Sequence, residues 1–163
     1  MRRALVVCGL LLVVAVAPAA AQVSGGTRHP VPHQQQITAN PLGPMVGWGN
    51  AEYERKLAET WSIALGGSYV SREFFGEYAS AVAALRFYPQ GAVLTGFYFG
   101  PRFGFFRIYE DHEHSLGAGF ELGYAWLLGA SRHFSIGVGA GATHVFTGHG
   151  LPVLRLVNLG WAF

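Results

Sequence analysis

The chain has 163 residues, about half of them apolar, only 12% charged, with a formal net charge of +2. Beyond the first 21 residues no apolar run approaches the roughly 20 residues that a membrane-spanning helix needs, which excludes a helical membrane protein. The only cysteine, Cys8, lies inside that first run, so disulfides are excluded as a support for the fold; removing Arg2 and Arg3 with it leaves nine basic against nine acidic residues, a balance that gives no reason to expect nucleic acid as a partner.

Residues 1–21 have the form of a secretory signal peptide. Arg2 and Arg3 precede the apolar stretch from Ala4 to Val16, and Pro18, Ala19, Ala20 and Ala21 close it, so cleavage is expected between Ala21 and Gln22. An uncleaved anchor helix is the alternative, disfavoured by the short apolar core. Cys8 sits too early for a lipid-modified cysteine. Residues 22–36 follow as a lead of Gly, Pro, His and Gln, in which Pro30 and Pro32 deny regular hydrogen bonding and little is apolar; a disordered periplasmic segment is expected. His29 and His33 within it are two imidazoles without further ligands, a weak metal signal.

Residues 37–163 read as a single all-β domain. Alternating segments separated by turn residues predict strands at about Asn50 to Leu57, Thr60 to Val70, Tyr78 to Tyr88, Gly96 to Ile108, Ser115 to Leu128, Phe134 to Phe146 and Val153 to Phe163. Their length fits the roughly 9 to 11 residues of a tilted strand crossing a bilayer. Connections alternate in character: Ala58-Glu59, Pro89 to Thr95 and Gly129 to His133 are short or small, whereas Ser71 to Glu77, Tyr109 to His114 and Thr147 to Pro152 carry charges and histidines. Outer-membrane barrels show that asymmetry of turns and loops, and their strand number is even. Parity therefore asks for an eighth strand, placed at about Gln35 to Val46 with a tight hairpin near Gly47 to Asn50, even though Pro41 and Pro44 each remove a ladder donor. The fold class expected is an eight-stranded antiparallel up-and-down transmembrane β-barrel.

The period of two also separates the faces. In the longest segment Leu116, Ala118, Phe120, Leu122, Tyr124, Trp126 and Leu128 share one side, while Ser115, Gly117, Gly119, Glu121, Gly123 and Ala125 share the other. Lipid provides backbone groups with no hydrogen bonds, so strands within it must close on themselves, and eight strands enclose a space just wide enough for side chains. Glycine inside and bulk outside fits that space. A soluble sandwich or lipocalin-like barrel would instead turn the bulky face inward and present Gly, Ala and Ser to water with few of the charges that protect soluble sheets. Trp61, Tyr69, Phe87, Phe97, Phe99, Tyr124, Trp126, Phe134, Trp161 and Phe163 fall mostly near strand ends on the outer side, as interfacial girdles do.

The last residues resemble a known signal. Val157, Leu159, Trp161 and Phe163 alternate and end on a terminal aromatic, which is similar to the C-terminal strand that the insertion machinery reads in bacterial outer-membrane β-barrels. Glu52-Tyr53-Glu54-Arg55 is similar to a Tyr-Glu-Arg strand in an uncharacterised family of small outer-membrane barrels. The resemblance implies a location and a fold, with outer-membrane lipid, lipopolysaccharide and the insertion machinery as partners; it supplies no catalytic residues and no cofactor.

Chemistry-bearing residues are few. Glu52, Glu54, Arg86, Arg102 and Glu121 have inward parity, which predicts a paired charge network filling the lumen, since charges in a narrow interior must be matched; a gated pore or a carboxylate pair in acid/base work are the functional alternatives. Arg107 and Arg155 have outward parity near the external rim, where they would meet lipopolysaccharide phosphates. His112, His114, His144 and His149, with Glu110, Asp111 and Glu113 beside them, have the right donors for zinc or copper but no diagnostic spacing. A lipid A modifying enzyme would need a serine and a histidine on one face; His144 has outward parity and Ser115 inward, so no catalytic site is expected. A structural or surface-interaction role is the expected function, with a lipid A modifying enzyme or a narrow channel as alternatives.

Overall fold

The structure is a computed structural model, and it describes residues 32–71, 77–108, 113–146 and 150–163, with backbone alone at 46, 108, 113 and 150–156. The expected signal peptide, and the lead as far as residue 31 with His29, lie outside the described residues. Eight strands follow one another: β1 Gln35–Ala39, β2 Trp48–Lys56, β3 Trp61–Val70, β4 Tyr78–Phe87, β5 Gly96–Ile108, β6 Glu113–Leu128, β7 Phe134–Val145 and β8 Gly150–Ala162. Each pairs antiparallel with its neighbour in sequence, and β1 pairs with β8, so the sheet closes into an up-and-down barrel without a free edge. The expected eight strands are all present, and apart from the end of the first their bounds lie within three residues of those expected.

The first hairpin is where the sequence expectation needs correction. β1 begins at Gln35, two residues before the expected domain boundary, and the backbone N–H of Lys56 donates to the carbonyl of Gln34 at 2.8 Å. It ends at Ala39 instead of running to Val46, because Pro41 and Pro44 cannot donate to the ladder. A single 3-10 turn, Gly43–Val46, replaces the expected strand end, and Gly47, at φ 71°, swings the chain into β2. Asn40 organises the connection, its Oδ1 accepting from the backbone N–H of Leu42 at 2.9 Å and of Gly43 at 3.1 Å.

Two further irregularities interrupt the ladders. On β8 the pairing steps from Gly137↔Asn158 to Gly139↔Arg155, a bulge that reverses the parity of the residues before it relative to Val157 to Phe163. Arg155 therefore shares a register row with Gly139, not with the outward residues among which a regular ladder would set it. Between β4 and β5 the pairing lapses from Ala84↔Arg102 to Phe87↔Phe99, beside Pro101, which has no N–H to give.

Faces sort in one direction throughout. Leu65, Phe103, Phe105, Leu116, Phe120, Leu122 and Trp161 are exposed on the outside, Leu116 and Phe103 at about 60%, while Glu54, Arg86 and Glu121 are buried within. The interior is narrow: a Cβ on Gly123 would run into the hydroxyl end of Tyr98, so glycine there is what lets that ring lie across the lumen. The end of the barrel that carries the 57–60, 88–95 and 129–133 connections and the C-terminus is the turn end; the other is the loop end. Outside, near the turn end, Trp61, Phe87, Phe99 and Phe97 form a chain of rings with centroids 5.0 to 5.9 Å apart, and Tyr124 lies 4.6 Å from Trp126. Inside, Val93 and Leu94 from the β4–β5 connection pack with Tyr88, Tyr98 and Ala125 into an apolar plug. Leu94 is fully buried at φ 72°, a conformation that side-chain-bearing residues adopt only when their surroundings hold them there.

Candidate functional site in the barrel lumen

Directly above the plug, toward the loop end, the barrel holds its charges. Strand pleating aims every second residue inward, so Glu52 and Glu54 of β2 and Arg86 of β4 meet across β3, where the inward positions are the small Gly66, Ala64 and Ser62. Small residues on β3 leave the space that the Arg86 side chain crosses. Arg102 of β5 and Glu121 of β6 complete the set from the opposite wall.

Arg86 is the hub. Its Nε donates to Glu121 Oε1 at 2.7 Å, one terminal nitrogen donates to Glu52 Oε2 at 2.7 Å, and the other donates to Glu54 Oε2. The planar guanidinium thus binds three carboxylates on three of its edges, which a lysine, with a compact ammonium, would not reproduce. Its carbon also lies 4.6 Å from the centre of the Tyr98 ring. Arg102 donates to the second oxygen of Glu121 at 3.5 Å. Three carboxylates against two guanidiniums make the set anionic by one.

Glu54 is the most heavily bonded acceptor. Besides Arg86 it receives Ser62 Oγ at 2.5 Å, the Tyr88 hydroxyl at 2.7 Å and Gln36 Nε2 at 2.8 Å. Gln36 passes the network to β7 by accepting from Ser135 Oγ at 2.8 Å. Four donors occupy the lone-pair sites of this one buried carboxylate and leave none with which to take a proton from a substrate. Glu52 is the more open of the pair, and its side chain retains about 14% exposure. Arg86 and Glu54 are each 1% exposed, so the five residues cross-link β2, β4, β5 and β6, and through Gln36 also β1 and β7.

The five charged residues expected to form the lumen network are thus gathered in one cluster. The sequence gives no sign of the partners Gln36, Ser62, Tyr88 and Ser135, because Gln36 falls in the Gly, Pro, His and Gln segment and Tyr88 sits at a strand end. The remaining candidates are dispersed. Ser115 is buried on the inner face and donates to the carbonyl of its neighbour Leu116 at 3.2 Å, whereas His144 is exposed on the outer face opposite Ala118, so the sheet separates the serine and histidine that a lipid-cleaving pair would need together. Glu110, Asp111, His112 and His149 lie outside the described residues, as does the Glu113 side chain; among the described residues no group of three His, Cys, Asp or Glu is close enough to share a metal ion. His33 is buried, donates from Nε2 to the carbonyl of Ser131 at 2.9 Å, and lies 4.3 Å from His133, which in turn stacks on Trp161 at 5.0 Å. Leu159 and Trp161 keep outward register, Val157 falls at the bulge between Asn158 and Arg155, and Phe163, half exposed, is tied by its N–H to the Gln35 carbonyl at 2.8 Å. Arg107 is exposed on the outer face near the loop end.

No protein family model matches the chain, and neither a curated protein nor a solved structure matches it significantly.

Proposed function

We propose that the chain is an integral outer-membrane β-barrel with a structural or surface-facing role, its interior being a brace and not a passage. One observation carries the reading: a closed barrel with its ion pairs inside and exposed Leu, Phe, Tyr and Trp side chains on most of its strands outside. In water such a surface forfeits about 25 cal/mol for each Å² of apolar surface left uncovered, and an exposed apolar face of this extent marks a membrane or a large partner. In lipid the same surface is matched to its solvent, and the turn-end rings sit where aromatic girdles lie. The signal-peptide pattern and the alternating C-terminal strand, similar to bacterial outer-membrane barrels, agree with it.

The lumen argues against the channel alternative. Arg86 with its three carboxylates spans the interior, and Val93 and Leu94 fill the turn-end mouth below it, so an ion would have to displace both a satisfied charge network and an apolar plug. The enzyme alternative would use Ser115 and His144, which lie on opposite faces of the sheet. The test is the migration of the membrane fraction on a gel with and without boiling. A closed barrel shifts on boiling and stays with the membranes; a chain recovered in the soluble fraction, or one that does not shift, overturns the proposal. Planar-bilayer recording of the folded chain is expected to give no conductance steps.

A further inference from the structure

The segment Glu52-Tyr53-Glu54-Arg55 sends its residues to two sides of the sheet. Glu52 and Glu54 belong to the lumen network, whereas Tyr53 and Arg55 lie on the outer face, where Arg55 is exposed. Pairing sets Arg55 between Gln35 of β1 and Ile63 of β3, and the backbone bonds between Gln35 and Phe163 carry that row on to the end of β8. Gln35 opens β1 and Phe163 follows β8, so the row borders the turn end. One pleat toward the loop end the outward row is Trp161, Ile37, Tyr53 and Leu65, and Trp161, Ile37 and Leu65 are exposed. Trp61, one pleat below Ile63, is exposed as well. A guanidinium thus stands at the foot of an apolar wall, at the depth of the turn-end rings.

Its surroundings hold no counterion. Arg86 and Arg102 donate to carboxylates inside the barrel, but among the described residues none accepts from the Arg55 guanidinium, and Glu59, the carboxylate of the adjoining 57–60 connection, forms no ion pair with it. The segment leading into β1 adds no acid, since the sequence from Gln22 to Gln36 has neither Asp nor Glu. Gln35, directly across the ladder from Arg55, accepts from the Tyr53 hydroxyl through Oε1 at 2.6 Å, and its amide N–H groups have no acceptor among the described residues. A guanidinium fork beside an amide, with nothing in the protein to accept from either, matches the oxygens of a phosphate. In lipid a charge without a counterion is costly, and a long side chain meets that cost by laying its stem on apolar surface and its head among the headgroups.

We infer that Arg55 and Gln35 bind the phosphate diester of a glycerophospholipid, whose acyl chains lie along Ile37, Leu65 and Trp161. The inference rests on the outer-membrane reading, which sets the turn end in the periplasmic leaflet, where such lipids are found. No bond is made or broken. The consequence is a lipid held where the barrel closes, beside the β1–β8 ladder of four residue pairs.

The experiment is native mass spectrometry of the full chain extracted from membranes, with phosphatidylglycerol as probe and diacylglycerol and inorganic phosphate as comparators. Phosphatidylglycerol is expected to be retained about tenfold better than diacylglycerol, the effect of one good charge-assisted contact, and an excess of inorganic phosphate leaves it in place. Arg55→Leu removes that preference, Arg55→Lys keeps part of it, and Gln35→Leu lowers it about fivefold, the worth of one neutral hydrogen bond. Should Arg55→Leu fail to shift on boiling, Arg55→Gln takes its place. Equal phosphatidylglycerol retention by the wild type and either the Arg55 or the Gln35 variant overturns the site, as does equal retention of phosphatidylglycerol and diacylglycerol by the wild type. Displacement by inorganic phosphate marks a site for the free anion and overturns the lipid. Failure of the wild-type chain to fractionate with membranes overturns the outer-membrane reading instead, and the two failures are read from different measurements.

Discussion

The turn-end and loop-end halves of this barrel solve different problems with the same strands. At the turn end the information is inside: Arg86 gathers three carboxylates, and Tyr88, Val93 and Leu94 seal the mouth beneath them. At the loop end it is outside, where β4 turns alanines to the surface between large neighbours and Arg107 and His114 stand at the rim. A buried charge network fixes one arrangement because every alternative leaves a charge unmatched in a place without water. On the outer-membrane reading proposed above, the outer face has no such demand, since any apolar side chain suits lipid. Substitutions should therefore cost stability at the turn end and leave it nearly unchanged at the loop end.

The largest effect is expected from Arg86→Met, which leaves Glu52, Glu54 and Glu121 with Arg102 as the remaining guanidinium of the network. Breaking a buried ion pair by removing one partner costs about 3 to 5 kcal/mol, measurable as the urea midpoint of the unboiled gel form in vesicles. Combining Arg86→Met with Glu54→Gln and Glu121→Gln should recover much of that loss, because the lumen then holds one carboxylate, Glu52, against one guanidinium, Arg102, in place of three against one. A combined variant no more stable than Arg86→Met alone would mean that Arg86 acts by filling space, and the contrast between the two halves would lose its electrostatic basis.

Leu94 tests the plug. Leu94→Ala is expected to cost about 3 kcal/mol through loss of a fully buried side chain. Leu94→Gly removes even more surface yet should be less damaging than alanine by roughly 1 kcal/mol, because glycine adopts a φ of 72° without strain. The reverse order in urea unfolding would show that the backbone here is not under strain at all.

Much of the turn-end arrangement could be read from the chain, and its omissions have physical causes. Parity alone brought Glu52, Glu54, Arg86, Arg102 and Glu121 to one lumen, since a strand fixes the face of every second residue. Parity fails where the ladder slips, and the bulge opposite Gly137 to Gly139 is invisible in a run such as Leu154-Arg155-Leu156-Val157, which reads as a regular alternation either way. The plug was missed because Pro89 to Thr95 reads as a turn, and turn composition does not say whether Val93 and Leu94 fold into the lumen or away from it. His33 reads as part of the lead because its neighbours are Pro and Gln; only the closed sheet brings it within reach of Ser131 and His133, about a hundred residues later. The run of small outward residues on β4 is hidden by its own composition, since Ala79, Ala81 and Ala83 satisfy the outward-apolar pattern as well as leucine would.

A smaller effect is expected where β8 closes on the N-terminal segment. His133 must carry its proton on Nδ1, since it faces the Ala162 carbonyl oxygen at 2.7 Å, and its ring lies between Trp161 and His33. His133→Ala should cost about 1 kcal/mol, one hydrogen bond and a ring contact, and should speed limited proteolysis just before Gln35. Unchanged cleavage there would mean that the Gln34 and Gln35 backbone bonds to Phe163 hold the segment without the histidines.

The smallest stability effect, and the one that most directly sets the loop end apart, is Ala81→Leu with Ala83→Leu. Both positions face outward between strands that remain fully paired, neither touches the charge network, and larger apolar groups there meet Leu65, Phe103 and Phe105 across an open trough. A change of this kind away from buried features is usually within about 0.5 kcal/mol, and in lipid the added carbons replace acyl chain, not water. The urea midpoint should therefore stay where it is. If instead the pair unfolds the barrel as Arg86→Met does, the outer face at the loop end is packed as tightly as the lumen, and the freedom argued for that face does not exist.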